Sequence, residues 1–252
     1  RLQTVGAAAF AQVDWAITEK LHVLPGIRYN YDQKTVDFNR QTYGGAQNPN
    51  ALVTTDALLK AIKDSVYTNQ VFTADVSESN FSGQLTAKYE VSKRLNAYVT
   101  YANSYKPVGI NLGGLPTQSG AVLTNLAEVK PEFVTNYEIG IKTTPTTNST
   151  LNFAAYRTDV DDFQTQVQSP ELGLNRGYLS NAEKVRVQGV ELDGTLAIGK
   201  NFSLFAALAY TDGKYVKFTN APRPLEETGT RVQDPKFPND PTKTIESAFK
   251  DI

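Results

Sequence analysis

Cysteine and methionine are absent from the 252 residues, and histidine and tryptophan occur once each. Without thiols there is no disulfide framework, no thiol nucleophile and no thiolate metal site. The lack of methionine, with Arg1 leading straight into strand-like sequence and no charged-then-apolar leader, sets the expectation that the chain is a piece of a longer one. Charge of one sign is also missing: 25 Lys and Arg face 26 Asp and Glu, for a net charge of -1. No basic surface argues for nucleic acid, so recognition is left to shape and local polar groups. Long apolar runs are missing too, because the stretch 5–11 is far short of the roughly 20 residues of a spanning helix. A spanning strand needs only about 9–11 residues with one apolar face. The negative mean hydropathy suits a barrel with a polar lumen and polar loops.

What the chain does have is alternation. Leu85, Ala87, Tyr89 and Val91 interleave with Gln84, Thr86, Lys88 and Glu90, which puts an apolar and a polar face on one strand. Phe133, Tyr137, Ile139 and Ile141 alternate with Asn136, Glu138, Gly140 and Lys142 in the same way, and Leu151, Phe153 and Ala155 with Asn152, Ala154 and Tyr156. Near the start, Val13, Trp15 and Ile17 alternate with Gln12, Asp14 and Ala16. Further strands are expected at 21–37, 95–105 and 202–216, for about eight in all, paired as hairpins. Val190, Leu192, Leu196 and Ile198 share a face, but Val185 and Val187 fall on the other phase. Either a bulge near Gln188 and Gly189 shifts the phase, or the two valines face a crowded lumen.

The connections sort by length. Those at 18–20, 91–94, 143–149 and 199–201 are tight, and the intervening ones are long, polar and rich in Gly, Asn, Pro and Thr. An up-and-down transmembrane barrel does this, with short turns on one rim and long extracellular loops on the other. Aromatic residues at strand ends, among them Trp15, Tyr29, Tyr31, Tyr101, Tyr105, Tyr137, Tyr210 and Tyr215, fit interfacial girdles. They also fit the ordinary strand preference of tyrosine. In the first long loop, Leu58, Leu59, Ile62 and Val66 lie at helical spacing behind a Thr55 or Asp56 cap, which predicts a short helix over 55–66.

Chemistry-bearing constellations are weak. Asp159, Asp161 and Asp162 cluster at a strand end but lack the glycine and distal glutamate of a calcium loop, so a solvated strand end is expected. Glu226 and Glu227 are a loop pair with no partner acid at an inferable distance, which supports no glycosidase reading. The single histidine, His22, cannot build a multidentate metal site. Gly44-Gly45 and Gly113-Gly114 lack the context of phosphate loops. No catalytic residue, metal site or cofactor is assigned, and the chain is not read as an enzyme.

Three blocks then point to a family. Lys130-Pro131-Glu132 followed by Asn136-Tyr137-Glu138-Ile139-Gly140-Ile141-Lys142 resembles the barrel signature of TonB-dependent outer-membrane receptors. Asn181-Ala182 through Val190-Glu191-Leu192 is similar to a later strand of that family, and the stretch 98–109 to one that leads into a long loop, although Val108-Gly109 replaces a frequent second glycine there. The resemblance covers nearly the whole chain. It implies an all-β, antiparallel up-and-down transmembrane barrel, with residues 1–252 as part of a plugged barrel of about 22 strands whose plug and remaining strands lie elsewhere.

It also implies the outer membrane of a Gram-negative bacterium, contact with its lipid and lipopolysaccharide, and active import of a scarce ligand, expected to be a ferric siderophore or related iron chelate. The TonB–ExbB–ExbD complex would supply energy through the plug. Tyr105, Lys106 and Asn111 on one long loop, and Arg176 and Tyr178 on another, are the candidate ligand contacts because they place aromatic and polar groups at the outer rim. The rival readings are a passive porin and a soluble β-sandwich binding module.

Overall fold

The computed structural model describes residues 1–41, 57, 69–113, 115, 117–118, 121–168, 177–219, 221, 232–233 and 244–245. Eight long strands follow one another: β1 (Leu2–Gln12), β2 (Leu21–Arg40), β3 (Gln70–Ser92), β4 (Leu95–Lys106), β5 (Glu132–Thr143), β6 (Ser149–Gln168), β7 (Gly177–Ile198) and β8 (Phe202–Lys217). With the two-residue strand Trp15–Ala16 they form one sheet, in which every long strand pairs antiparallel with its neighbour in sequence. Pairing between β1 and β2 lapses at Pro25, between the partners Gln12↔Gly26 and Trp15↔Val23, where a residue without an N–H contributes least to a ladder. No helix among the described residues is long and apolar enough to cross a membrane. The helix expected over 55–66 lies, apart from Ala57, outside the described residues.

The register sorts side chains cleanly. One cross-strand row runs Val99, Ile139, Ala155, Val190, Tyr210, and the row beside it on the same face runs Ala97, Ile141, Phe153, Leu192, Leu208. Leu208 is 71% exposed and Ile139 61% exposed, although both sit in regular, fully paired strands. A face of exposed Leu, Ile, Val and Tyr on an extended sheet is far larger than a soluble protein leaves uncovered. The opposite face carries Tyr98, Asn136, Glu138, Asn152, Glu191 and Asp193, which is the lumen side of a barrel. Toward the tight turns β7 shows five successive outward positions from Val190 to Ile198, and nine residues suffice to span.

At the other end the outward face turns polar. The row that holds Tyr101 and Tyr137, whose rings lie 5.4 Å apart, continues through Arg157, Gln188 and Asp212. Strands β2, β3, β6 and β7 have 20, 23, 20 and 22 residues, about twice what a crossing needs, so these two hairpins project well past the apolar band on the long-loop side.

The bulge expected near Gln188 and Gly189 is not there. Gly189 stays in register with Tyr156 and Thr211, and the shift falls between Lys184 and Val185. Val185 and Val187 share the inner face with Glu191 and Asp193, which is the other reading of their phase. Gly189 instead makes room for a ring, since a Cβ there would lie 2.9 Å from the Tyr156 hydroxyl oxygen and 2.3 Å from the Tyr210 carbonyl. Gly140 does the same for Tyr98, whose ring crosses it while its hydroxyl donates to Glu138 Oε1 at 2.6 Å. An inward tyrosine laid over a cross-strand glycine fills the groove that the missing side chain leaves.

Two outcomes follow. Gly140→Val, whose side chain meets both the Tyr98 ring and the Phe153 carbonyl, is expected to cost about 1–3 kcal/mol of unfolding free energy in lipid. Gly213→Ala, with nothing nearer than 3.9 Å, is expected to be close to neutral in the same urea titration. For the face assignment, Leu192→Lys is expected to cost about 2–4 kcal/mol in a bilayer, and Thr195→Lys on the inner face under about 1 kcal/mol. Equal losses at the two positions would contradict the orientation.

Candidate ligand-recognition site

The polar groups gather at the long-loop end, on the inner face. Segment 107–131, which joins β4 to β5, folds back against the walls of the projecting hairpins. Its Ile110, Leu115 and Ala127 pack on Val36, Phe72 and Ala74, with Phe38, Val122 and Leu126 at the margin. Val36 and Phe38 lie on the face opposite Tyr29 and Tyr31, and Phe72 on the face opposite the exposed Val71, so this small core is inward. Phe38 and Phe72 stack at 4.6 Å. Burying these residues helps to seat the segment. Its backbone N–H and C=O groups then need partners, since few are in a ladder.

Side chains supply them. Gln70, 1% exposed, donates from Nε2 to the Leu115 carbonyl at 2.6 Å and accepts the Leu115 N–H on Oε1 at 2.8 Å. Asn111, 3% exposed, donates to the Leu126 and Leu179 carbonyls at 2.7 and 3.0 Å and accepts the Leu179 N–H at 2.6 Å. Gln164 donates to the Pro107 and Lys130 carbonyls, and Asn181 pairs with both the N–H and the carbonyl of Lys130. Lys34 reaches the Val108 carbonyl while Glu78 accepts the Val108 N–H, and Arg40 reaches the Gly113 carbonyl. Leaving the buried Leu115 N–H or carbonyl unpaired costs about 1–3 kcal/mol.

The five candidate contacts are distributed unevenly over this frame. The Tyr105 hydroxyl donates to Asp32 Oδ2 at 2.5 Å. Lys106 pairs with Glu132 at 2.8 Å and keeps its side chain 54% exposed; Glu132, itself buried, also accepts the Gln164 N–H. Asn111 is enclosed, and its amide is engaged by Leu126 of its own segment and Leu179 of β7. Tyr178 stands opposite Val167 at the foot of the β6–β7 connection, and burial pushes its hydroxyl above the usual tyrosine range. Arg176 lies outside the described residues. The structure therefore brings Asn111 close to the Tyr178 strand through Leu179, and places Tyr105 and Lys106 on the flank of the same segment.

The sequence singles out none of Gln70, Gln164, Lys34 and Glu78, and marks Asn181 only as the start of a family block. Their signal was faint: an amide inside a strand pattern looks like any lumen residue until its backbone partner is known. The acidic cluster is now explained. Asp159 accepts from Arg157 at 3.0 Å and Arg186 at 2.7 Å, Asp161 pairs with Lys184, and Asp162 lies 3.7 Å from Lys130. Each carboxylate already has a cation, and no group of metal-binding side chains occurs among the described residues. Asp162 also takes a positive φ of 53° where the pairing of β6 and β7 skips one residue. Lower in the lumen, Tyr98, Glu138, Tyr156, Glu191 and Asp193 line an acidic cavity of about 420 Å³ with Lys142 at its edge. His22 Nδ1 donates to Asp14 Oδ1 at 2.7 Å near the tight-turn rim, and Glu226 and Glu227 lie outside the described residues.

Comparison with known proteins agrees with this geometry. A family profile described as TonB-dependent receptor-like, β-barrel, matches residues 1–243. No curated protein sequence matches the chain. Among solved structures, the ferric yersiniabactin uptake receptor FyuA of Yersinia pestis superposes with a TM-score of 0.60 at 20% identity, over 84% of this chain and 28% of its own. The siderophore receptor PiuA of Acinetobacter baumannii gives 0.60 at 18% identity, over 90% of this chain and 27% of its own. The haemophore receptor HasR of Serratia marcescens, solved as a double mutant with its haemophore HasA and haem, gives 0.57 at 17% identity, over 85% and 35%. These likenesses are of fold, and the chain spans between about a quarter and a third of each of those proteins. Since the profile covers nearly every residue and the sheet has the exposed apolar band of a membrane barrel, the chain belongs to the TonB-dependent receptor β-barrel family.

Proposed function

We propose that the chain forms part of the barrel of an outer-membrane active importer in a Gram-negative bacterium, and that its cargo is a ferric siderophore or a related iron chelate. Residues 1–252 are part of one barrel domain in this reading. The observation that carries it is the family match over residues 1–243, on a sheet whose outward face is apolar and whose inner face is polar. The edges β1 and β8 do not pair with each other, so in lipid further strands must cover them. An importer of this kind holds a plug in its lumen and draws energy from the TonB–ExbB–ExbD complex, with the outward face in contact with lipid and lipopolysaccharide. Siderophore and haemophore receptors among the structural neighbours support the choice of cargo, though at identities that speak for fold.

Ligand recognition falls to the long-loop rim. There Lys106 offers an ammonium beside Glu132, Tyr105 a phenol on the opposite face of the same strand beside Asp32, and Tyr178 a phenol at the start of β7, two residues after Arg176 in sequence. Asn111 contributes through the backbone it holds. Loss of one hydrogen bond to the cargo costs about 1 kcal/mol, or about five-fold in affinity.

The test is accumulation of radioactive iron by cells that carry the full-length protein as their sole receptor, supplied with tris-catecholate, tris-hydroxamate or haem iron. Saturable uptake that disappears on loss of TonB or of the proton gradient is expected for one of them. Uptake indifferent to TonB would mean a passive porin, and extraction of the protein without detergent would mean a soluble module. For the accepted substrate, Tyr105→Ala and Tyr178→Ala are expected to raise half-saturation by about five-fold each.

A further inference from the structure

We propose that the described residues of segment 107–131 form a fixed inner shelf of the extracellular mouth rather than a closing lid, and that Gln70, Asn111, Gln164 and Asn181 are positioning residues that hold it. The functional part of this inference rests on the importer reading above; the shelf itself does not.

Four observations carry it. The amides come from opposite sides of the segment: Gln70 stands on β3, Gln164 on β6 and Asn181 on β7, while Asn111 reaches out of the segment to Leu179 of β7. In the sheet β3 is separated from β6 and β7 by β4 and β5, the strands that the segment joins, so the latches brace it from both flanks. Each amide makes at least two contacts, and three of them, Gln70, Asn111 and Asn181, close on the N–H and carbonyl of a single residue. A lid that opened would have to strand these buried groups or expose the Val36, Phe72, Ala74, Ile110, Leu115 and Ala127 cluster to water. Lastly, Gly109 lets the segment approach so closely that a Cβ there would stand 3.0 Å from the Gln164 side-chain oxygen.

The chemistry of the latch predicts its behaviour. The four amides neither titrate nor depend on ionic screening, whereas Lys34, Glu78 and Arg40 hold Val108 and Gly113 through charged groups. The part of the shelf fixed at Leu115 and Leu179 is therefore expected to stay seated over the pH and salt range in which those charged contacts and the pair of Lys106 with Glu132 weaken. A wall set in advance lowers the ordering cost of capture, which an incoming chelate otherwise bears. The residues that set it need not touch the chelate.

Hydrogen exchange on the full-length protein in outer-membrane lipid nanodiscs, without any chelate, tests the shelf. The Leu115 and Leu179 amides are expected to exchange at least about 100-fold more slowly than in an unstructured chain, equally in low salt and in 1 M salt. The double variant Gln70→Ala, Asn111→Ala is expected to lose most of that protection at both amides and to keep it at Ile139 and Leu192 in the membrane band. Free-chain exchange at Leu115 and Leu179 in the unaltered protein would overturn the shelf, whatever is transported. Iron uptake from tris-catecholate and tris-hydroxamate complexes then separates positioning from folding. Positioning raises half-saturation and leaves maximal uptake per folded receptor unchanged. A protected shelf whose release leaves half-saturation where it was would overturn the positioning role. If none of tris-catecholate, tris-hydroxamate or haem iron enters by way of the unaltered protein, the importer reading fails, and the exchange result still decides whether the shelf exists.

Discussion

A backbone polar group in hydrocarbon has no water to turn to, and each one left unpaired costs several kcal/mol. The rest of this structure depends on that constraint. It requires every strand inside the apolar band to be flanked by another, and the chain meets the requirement in the most local way, by pairing each long strand with the next in sequence. Once the ladder is set, side-chain direction alternates without further choice, and a one-residue slip would turn Glu138, Glu191 and Asp193 to lipid. The polar inner face and the apolar outer face hold each other in register. The tyrosines over Gly140 and Gly189 reinforce this from the lumen, since each fits only at a position with no Cβ.

Beyond the bilayer the same constraint is solved by different means. Among its described residues, segment 107–131 has only fragments of ladder, such as Gly109 with Val129, and backbone groups of Pro107, Val108, Leu115 and Lys130 are met by Gln164, Lys34, Glu78, Gln70 and Asn181 from the surrounding walls. The β2–β3 and β6–β7 hairpins are long because they must carry those side chains up to the segment. Rim geometry, and with it the shape offered to a cargo, thus follows from strand length and from a few amides placed where the backbone turns inward.

Much of the fold was legible in the residues. Leu85 to Val91 and Phe133 to Lys142 alternate so strictly that only a strand with one apolar face fits them, and Gly199 with its positive φ marks a turn that the structure keeps. The phase change at Val185 was legible too, but its cause was not: whether a register slips is decided by the facing strands, and both β6 and β8 hold Gly189 in step. Of the candidate contacts, Asn111 shows the limit. A polar residue in a polar loop looks available to a ligand, and only the position of Leu179, 68 residues away, reveals that its amide is already engaged.

By itself the sequence determined which segments are strands, which face of each is apolar, where the tight turns fall and to which family the blocks belong. All of these depend on spacing within a few residues, and side-chain alternation transmits spacing directly. Tertiary structure alone decided how far the hairpins rise above the membrane, which carboxylates pair with Arg157 and Arg186, and that segment 107–131 lies folded inward against two walls. The inward seat of that segment rests on hydrogen bonds between residues 45 to 74 positions apart, and a partner at that range exists only once the sheet has formed to bring it there.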